Sequence, residues 1–290
     1  LNSRYIDLVS DIQRVLSISL SQQSQAKSLV ALVDTYQGNE FKDNYVHLYR
    51  HHLFKNLADF LIEKGLNYDA ETTYQSYLAI APNSLWAPEY TLLLMDLYEK
   101  QGKQKLIKEL KIQYVKQFGM ESDFWKKNLS PNHTNFAITE NLMSEILPNL
   151  LSFSYQHSRH LYAKAQSEKI AENKKKTFTH AAYWLNTYLT LAKLPEAKLF
   201  ISELTMSQGL LADEFLFADA SFEAQQFEQA LTSYEYIAYQ SPITQKHSDQ
   251  LRQDAAYAST ITIRKMLEVH VNETDLNRKK ALIVKRNYLD

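Results

Sequence analysis

His47 and His51 lie four residues apart, and His157 and His160 three apart. Either spacing puts two imidazoles on one helix face, where they can share a metal ion. The residues around them include Asn44, Lys55, Arg159 and Lys164, so we expect structural or exposed roles, with no metal and no other cofactor. Lys174, Lys175 and Lys176 form a run able to attract phosphate or a membrane surface, although three charges at a helix corner usually make a solvated turn. Glu121 and Asp123 pair two carboxylates, but acid–base catalysis needs groups opposed across a cleft. The chain has no Gly-x-Ser-x-Gly elbow, no His-Glu-x-x-His and no Walker loop, and its 5 Gly are scattered singly. With 0 Cys, disulfides, thiolate metal sites and a cysteine nucleophile are excluded. We therefore expect no enzyme. An all-α glycan-active enzyme is the rival that opposed carboxylates in a deep pocket would favour.

The elements that must position these groups read as helices. Of 290 residues only 5 are Gly and 6 Pro, roughly 4% against about 12% in an average chain, which leaves little turn chemistry for a many-stranded fold. Tyr5, Leu8, Ile12, Val15 and Leu16 fall on one face of a first amphipathic helix. Ser24 caps a second, which Gly38-Asn39 ends. A third runs from about Phe41 to Lys64, where Gly65 supplies the left-handed turn into a fourth, Tyr68 to Ile80. Another pair, Trp86 to Lys100 and Lys103 to Phe118, turns at Gly102, 37 residues after Gly65. The turn cluster Ser130 to Asn135 marks a boundary. We expect a helical segment over 1–120, a connection over 121–136 and a second helical segment over 137–290. In that last segment a long helix, Ile138 to about Glu172, breaks or bends near Pro148, and 173–177 form a polar corner. Shorter helices follow at 178–193, 195–208, 212–225 and 227–240, and two more run to the end. The fold class is all-α.

A repeat underlies this pattern. Shifting Phe54–Pro82 by 160 residues onto Glu214–Pro242 matches Ala58 with Ala218, Asp59 with Asp219, Ala70 with Ala230, Tyr74 with Tyr234 and Pro82 with Pro242, and sets Leu57 against Phe217. A small residue in each of two antiparallel helices lets the backbones approach closely, an aromatic four places later plugs the groove beside them, and Pro ends the second helix. At these residues the sequence resembles the tetratricopeptide repeat, a helix–turn–helix unit of 34 residues. His51–Ser84 and Leu211–Thr244 fit its frame. They depart from it where an aromatic is usual in the first helix, since Phe54 is matched by Glu214, and where Leu61 and Ser221 replace a Tyr. A weaker match lies at Ala181–Thr205.

The resemblance implies an α-solenoid of stacked, partly degenerate helix pairs whose first helices line a concave groove that binds a protein segment. The side chains that face the groove in this family fall here on His52, Lys55, Asp59, Ile62 and Glu63, then on Ala212, Phe215, Asp219, Phe222 and Glu223. Repeated carboxylates favour a basic or amide-rich segment, with aromatic anchors at Phe215 and Phe222. Other aromatics, such as Tyr74, Tyr77 and Tyr234, sit at core spacing. Pro82-Asn83-Ser84 followed by Ala87-Pro88 is similar to repeats common in bacterial cell-envelope proteins, such as the outer-membrane lipoprotein of the barrel-assembly machinery, so we expect a periplasmic or outer-membrane-associated scaffold. A cytoplasmic peptide-sensing regulator is the alternative.

Composition is that of an ordinary globular chain and excludes a disordered one: 45% of residues are hydrophobic, and Lys+Arg 32 against Asp+Glu 33 gives a net charge of −1, which offers nucleic acid no bulk attraction. No apolar run approaches the ~18 residues that span a bilayer. The first residue, Leu1, is not Met and the last twelve read as unterminated helix, so we expect a piece of a longer protein.

Overall fold

A computed structural model describes residues 3–37, 45–128, 136–200, 209–241, 247–269 and 284. Among them every regular element is helical, and the helices pack in consecutive pairs, so the chain is all-α. It divides into two compact units, Leu1–Leu142 and Met143–Asp290. The first holds α1 (Ser3–Ser21), α2 (Ala26–Gln37), α3 (Tyr45–Glu63), α4 (Asn67–Ile80), α5 (Ala87–Lys100), α6 (Gln104–Phe118) and α7 (Asp123–Asn128). The division falls within α8 (Phe136–Ser167). The second unit continues with α9 (Ala171–Ala192), α10 (Leu210–Glu223), α11 (Phe227–Glu235) and α12 (His247–Val269).

Three hairpin turns share one geometry. Gly65, Gly102 and Gln225 take φ of +75°, +69° and +63°. After each, an N–H reaches five residues back: Leu66 to the Leu61 carbonyl at 2.8 Å, Lys103 to Tyr98 at 2.9 Å and Gln226 to Ser221 at 2.8 Å. That bond closes the end of the first helix. The donor residue then opens the next helix with nearly the same dihedrals, φ/ψ of −86°/58° at Leu66, −81°/58° at Lys103 and −89°/61° at Gln226. Gly65 and Gly102 were legible as turns. A turn is expected at the third place too, between the helices over 212–225 and 227–240, but the sequence does not show that Gln225 takes the left-handed conformation, which costs a side chain roughly 1–2 kcal/mol. The Gln225 side chain accepts a 2.5 Å hydrogen bond from Lys175 Nζ.

The small residues lie where the helices meet. Ala58 of α3 and Ala70 of α4 are fully buried in one core, as are Ala218 of α10 and Ala230 of α11 in another. Across each hairpin the matched pair is tied: Tyr74 OH donates to Asp59 Oδ1 at 3.2 Å, and Tyr234 OH donates to Asp219 Oδ1 at 2.5 Å. In the first unit Tyr77 stacks on Tyr90 at 4.0 Å between ring centroids, and Tyr90 OH donates to the His51 carbonyl, joining α3, α4 and α5. In the second unit rings join α8 to α9, Tyr155 to Tyr188 and Tyr162 to Phe178.

Some expectations need correction. The polar corner at 173–177 is helical: α8 stops at Ser167, and Glu168 turns its carboxylate onto the N–H groups of Lys169 and Ile170, so α9 starts earlier and carries all three lysines. α8 runs through Pro148 without interruption. The segment beginning at Pro195 is a tight 3₁₀ turn over Pro195–Leu199, and 201–208 lie outside the described residues. The helix expected over 227–240 changes at Tyr236 into a wider π turn that ends at Gln240. In α1, Ile12, Val15 and Leu16 of the expected stripe are exposed, and Ser17 and Leu20 are buried instead. An apolar stripe shows that a helix wants a partner, not which side the partner takes. The turn cluster Ser130–Asn135, Gly38-Asn39, Pro242 and, Val284 apart, the C-terminal helix expected beyond Val269 also lie outside the described residues.

Close approach at the alanines predicts intolerance of bulk. Ala58→Leu and Ala218→Leu should each lower the unfolding free energy by about 1–3 kcal/mol in urea titration, as overpacking does. Unchanged midpoints would show that these helices do not meet there.

Candidate functional site

In the second unit the acidic residues of α10 are gripped from three neighbouring helices. The buried Asp213 is paired with Arg159 of α8. Glu214, also buried, accepts from Lys193 at 2.9 Å, just beyond the C-terminus of α9, and from Ser233 Oγ of α11 at 2.8 Å. The frame's usual aromatic is therefore replaced by a carboxylate with two partners, which a buried charge requires. Asp219 accepts from Tyr234 of α11 and, at 3.4 Å, from Tyr162 OH of α8.

Beside Asp219 opens a cleft of about 390 Å³. Asp219, Phe222 and Glu223 reach it from one face of α10, since residues three and four apart share a face. Tyr162 and Gln166 come from α8, Lys174 and Phe178 from α9, Tyr234 from α11, and Ala258 and Ile261 from α12. Lys174 Nζ stands 3.4 Å from Glu223 Oε2 and 5.7 Å from the centroid of the Phe178 ring. Phe222 meets Phe227 with ring centroids 5.4 Å apart. The wall is thus aromatic with a carboxylate set into it and an exposed ion pair at Lys174 and Glu223.

Burial governs the electrostatics. It pushes the Asp219 carboxyl above its usual value, against the pull of the Tyr234 and Tyr162 hydroxyls. Burial and then the Asp219 charge push the Tyr162 phenol up to about 12, and the same two causes raise Tyr234. Asp213 is likewise raised by burial, with Arg159 opposing. Both carboxylates at the cleft, Asp219 and Glu223, rise from a single helix turn of α10.

Of the residues expected to face a groove, the structure brings Asp219, Phe222 and Glu223 together in this cleft. Phe215 stands behind them, its ring 5.5 Å from Tyr234, and Ala212 is exposed. In the first unit Asp59 is held by Lys55 at 2.8 Å as well as by Tyr74, Ile62 is half-buried against the core, and His52 and Glu63 are exposed. Tyr162, Lys174, Phe178 and Ile261 escaped the sequence reading as groove residues, because they come from helices outside the two matched frames. His51 is buried and stacks on Trp86 with ring centroids 3.9 Å apart, and His157 meets the Trp184 ring edge-on. Among the described residues no group of three or more His, Cys, Asp or Glu is placed to hold a metal ion. The lysines of α9 diverge: Lys174 goes to Glu223, Lys175 to Gln225 and Lys176 to Glu172.

Compared with known proteins, the chain matches no family model, and no curated protein is significantly similar to it.

The raised Asp219 carboxyl implies a pH dependence. The folded protein holds this proton more tightly than the unfolded chain, so the group's contribution to stability is full below its usual 3.8 and is lost as pH rises through the raised value. Asp219→Asn removes that loss. Its unfolding free energy relative to the unaltered chain should therefore shift in the variant's favour between about pH 3.5 and pH 7. A difference that stays constant over that range would refute the burial of this charge.

Proposed function

We propose that this chain is a non-enzymatic interaction scaffold, a tetratricopeptide-like α-solenoid that binds an extended segment of a partner protein along its helical surface. The observation that carries this reading is the cleft beside Asp219, formed by side chains of five helices and lined by aromatic rings with a few polar groups among them. At about 390 Å³ it stands near the lower end of the ~300–1,000 Å³ usual for ligand sites, which suits two or three side chains of a segment. Its walls belong to helices already fixed by an ion pair to the buried Asp213 and by hydrogen bonds, so binding orders the ligand and little of the protein. That both carboxylates stand on α10, one turn apart, supports the scaffold over a glycan-cleaving enzyme, which needs them opposed across the sugar.

The compartment we propose is a bacterial cell envelope, where the scaffold holds a partner in an assembly. The support is the repeat edge at Pro82-Asn83-Ser84 and Ala87-Pro88. Among the described residues no helix is long and apolar enough to cross a membrane.

The test is selection from a random peptide library on the full chain. Selected peptides should bind in solution, and Phe222→Ala should weaken them about tenfold or more while circular dichroism shows the helices intact. Failure to select any peptide, or binding indifferent to Phe222→Ala, would overturn the scaffold reading.

A further inference from the structure

The cleft already holds a cation of its own. Lys174 Nζ sits between the Glu223 carboxylate, 3.4 Å away, and the face of Phe178, 5.7 Å from its centroid. A cationic group desolvates against just these two kinds of surface, a carboxylate and an aromatic face. The arrangement is loosely held: the Lys174 and Glu223 side chains are 39% and 43% exposed. A pair so open to water is weak and readily exchanged.

Charge in the cleft is also unbalanced. Asp219 is bonded to two phenols, Tyr234 and Tyr162, and no cation among the described residues pairs with it. The matched Asp59 shows the balanced case, since Lys55 lies 2.8 Å from it and one helical turn before it. In the second unit the place of Lys55 is taken by Phe215, and among the described residues the corresponding charge is met by hydroxyls. A carboxylate that has accepted two hydrogen bonds keeps lone pairs for more. Among the described residues the cleft therefore presents two carboxylates against one ammonium, with the rings of Tyr162, Phe178 and Phe222 around them.

We infer that the cleft takes a Lys or Arg side chain of the partner segment, docked against Asp219 and Glu223 over the aromatic faces, and that Lys174 is the internal competitor it displaces from Glu223. This rests on the segment-binding reading of the cleft and adds to it the chemistry of the anchor and a built-in brake on affinity.

Peptides selected from the random library on the full chain provide the probes. The expected result is a shared Lys or Arg whose replacement by norleucine weakens binding about tenfold or more. Glu223→Gln should weaken the parent peptides, and Lys174→Gln should tighten them about two- to fivefold, by removal of a surface ion pair, without tightening the norleucine versions. Both substituted side chains are partly exposed, so each variant should fold, and unchanged melting curves verify it. Peptides that depend on Phe222 but share an acidic or purely apolar anchor would overturn the inference and leave the scaffold standing, as would weakening by Lys174→Gln. If no peptide is selected, or Phe222→Ala has no effect, the segment-binding reading fails and takes this inference with it.

Discussion

Two helices approach each other most closely where neither presents a bulky side chain, and in the two matched hairpins of this protein such places are marked by paired alanines. Ala58 with Ala70, and Ala218 with Ala230, are buried without residual exposure. With the backbones this close, a tyrosine one turn beyond the second alanine reaches back across the hairpin to the aspartate just after the first. The Asp–Tyr bond fixes the rotation of one helix against the other, and a hydrogen bond to a charged group is worth about 1.5–3 kcal/mol. In the second unit it also places Asp219 and Tyr234 side by side in the wall of the cleft. Packing, the polar tie and the candidate site are one piece of local geometry.

The same aspartate has different surroundings in the two units. Lys55 neutralises Asp59, whereas Phe215 at the matching place packs on Tyr234 and leaves Asp219 to two phenols. A single change of residue type, lysine to phenylalanine, thus separates a structural carboxylate from one still able to take a cation. Glu214 illustrates the converse. It departs from the repeat pattern and is drawn inward by Lys193 and Ser233, helping to lock α10.

Helix existence, the glycine turns and the alanine seams were legible because each depends on local chemistry: period, left-handed backbone and side-chain size. What escaped the sequence depends on neighbours. Gln225 adopts the glycine conformation because the hairpin it closes is held by packing on both sides, and nothing in a glutamine announces that. The apolar stripe of α1 does not mark its packed face: Ile12, Val15 and Leu16 are exposed while Ser17 and Leu20 are buried, and α1 packs on α3. Lys174 reads as one of three charges at a corner, and only the position of α9 shows that it reaches Glu223 while Lys175 and Lys176 do not. Asp219, Phe222 and Glu223 were found through the repeat frame, and the opposite walls of the cleft were not, as they belong to helices outside it.

The most direct test of the account is a double-mutant cycle on the tie itself, Asp219→Asn with Tyr234→Phe, followed by urea unfolding at pH ~7. If the hydrogen bond holds the hairpin as described, the two substitutions together cost less than their sum, with a coupling of about 1–3 kcal/mol. Additivity to within about 0.3–0.5 kcal/mol would mean that the two residues do not act on each other, and the geometry that joins the seam to the cleft would be wrong.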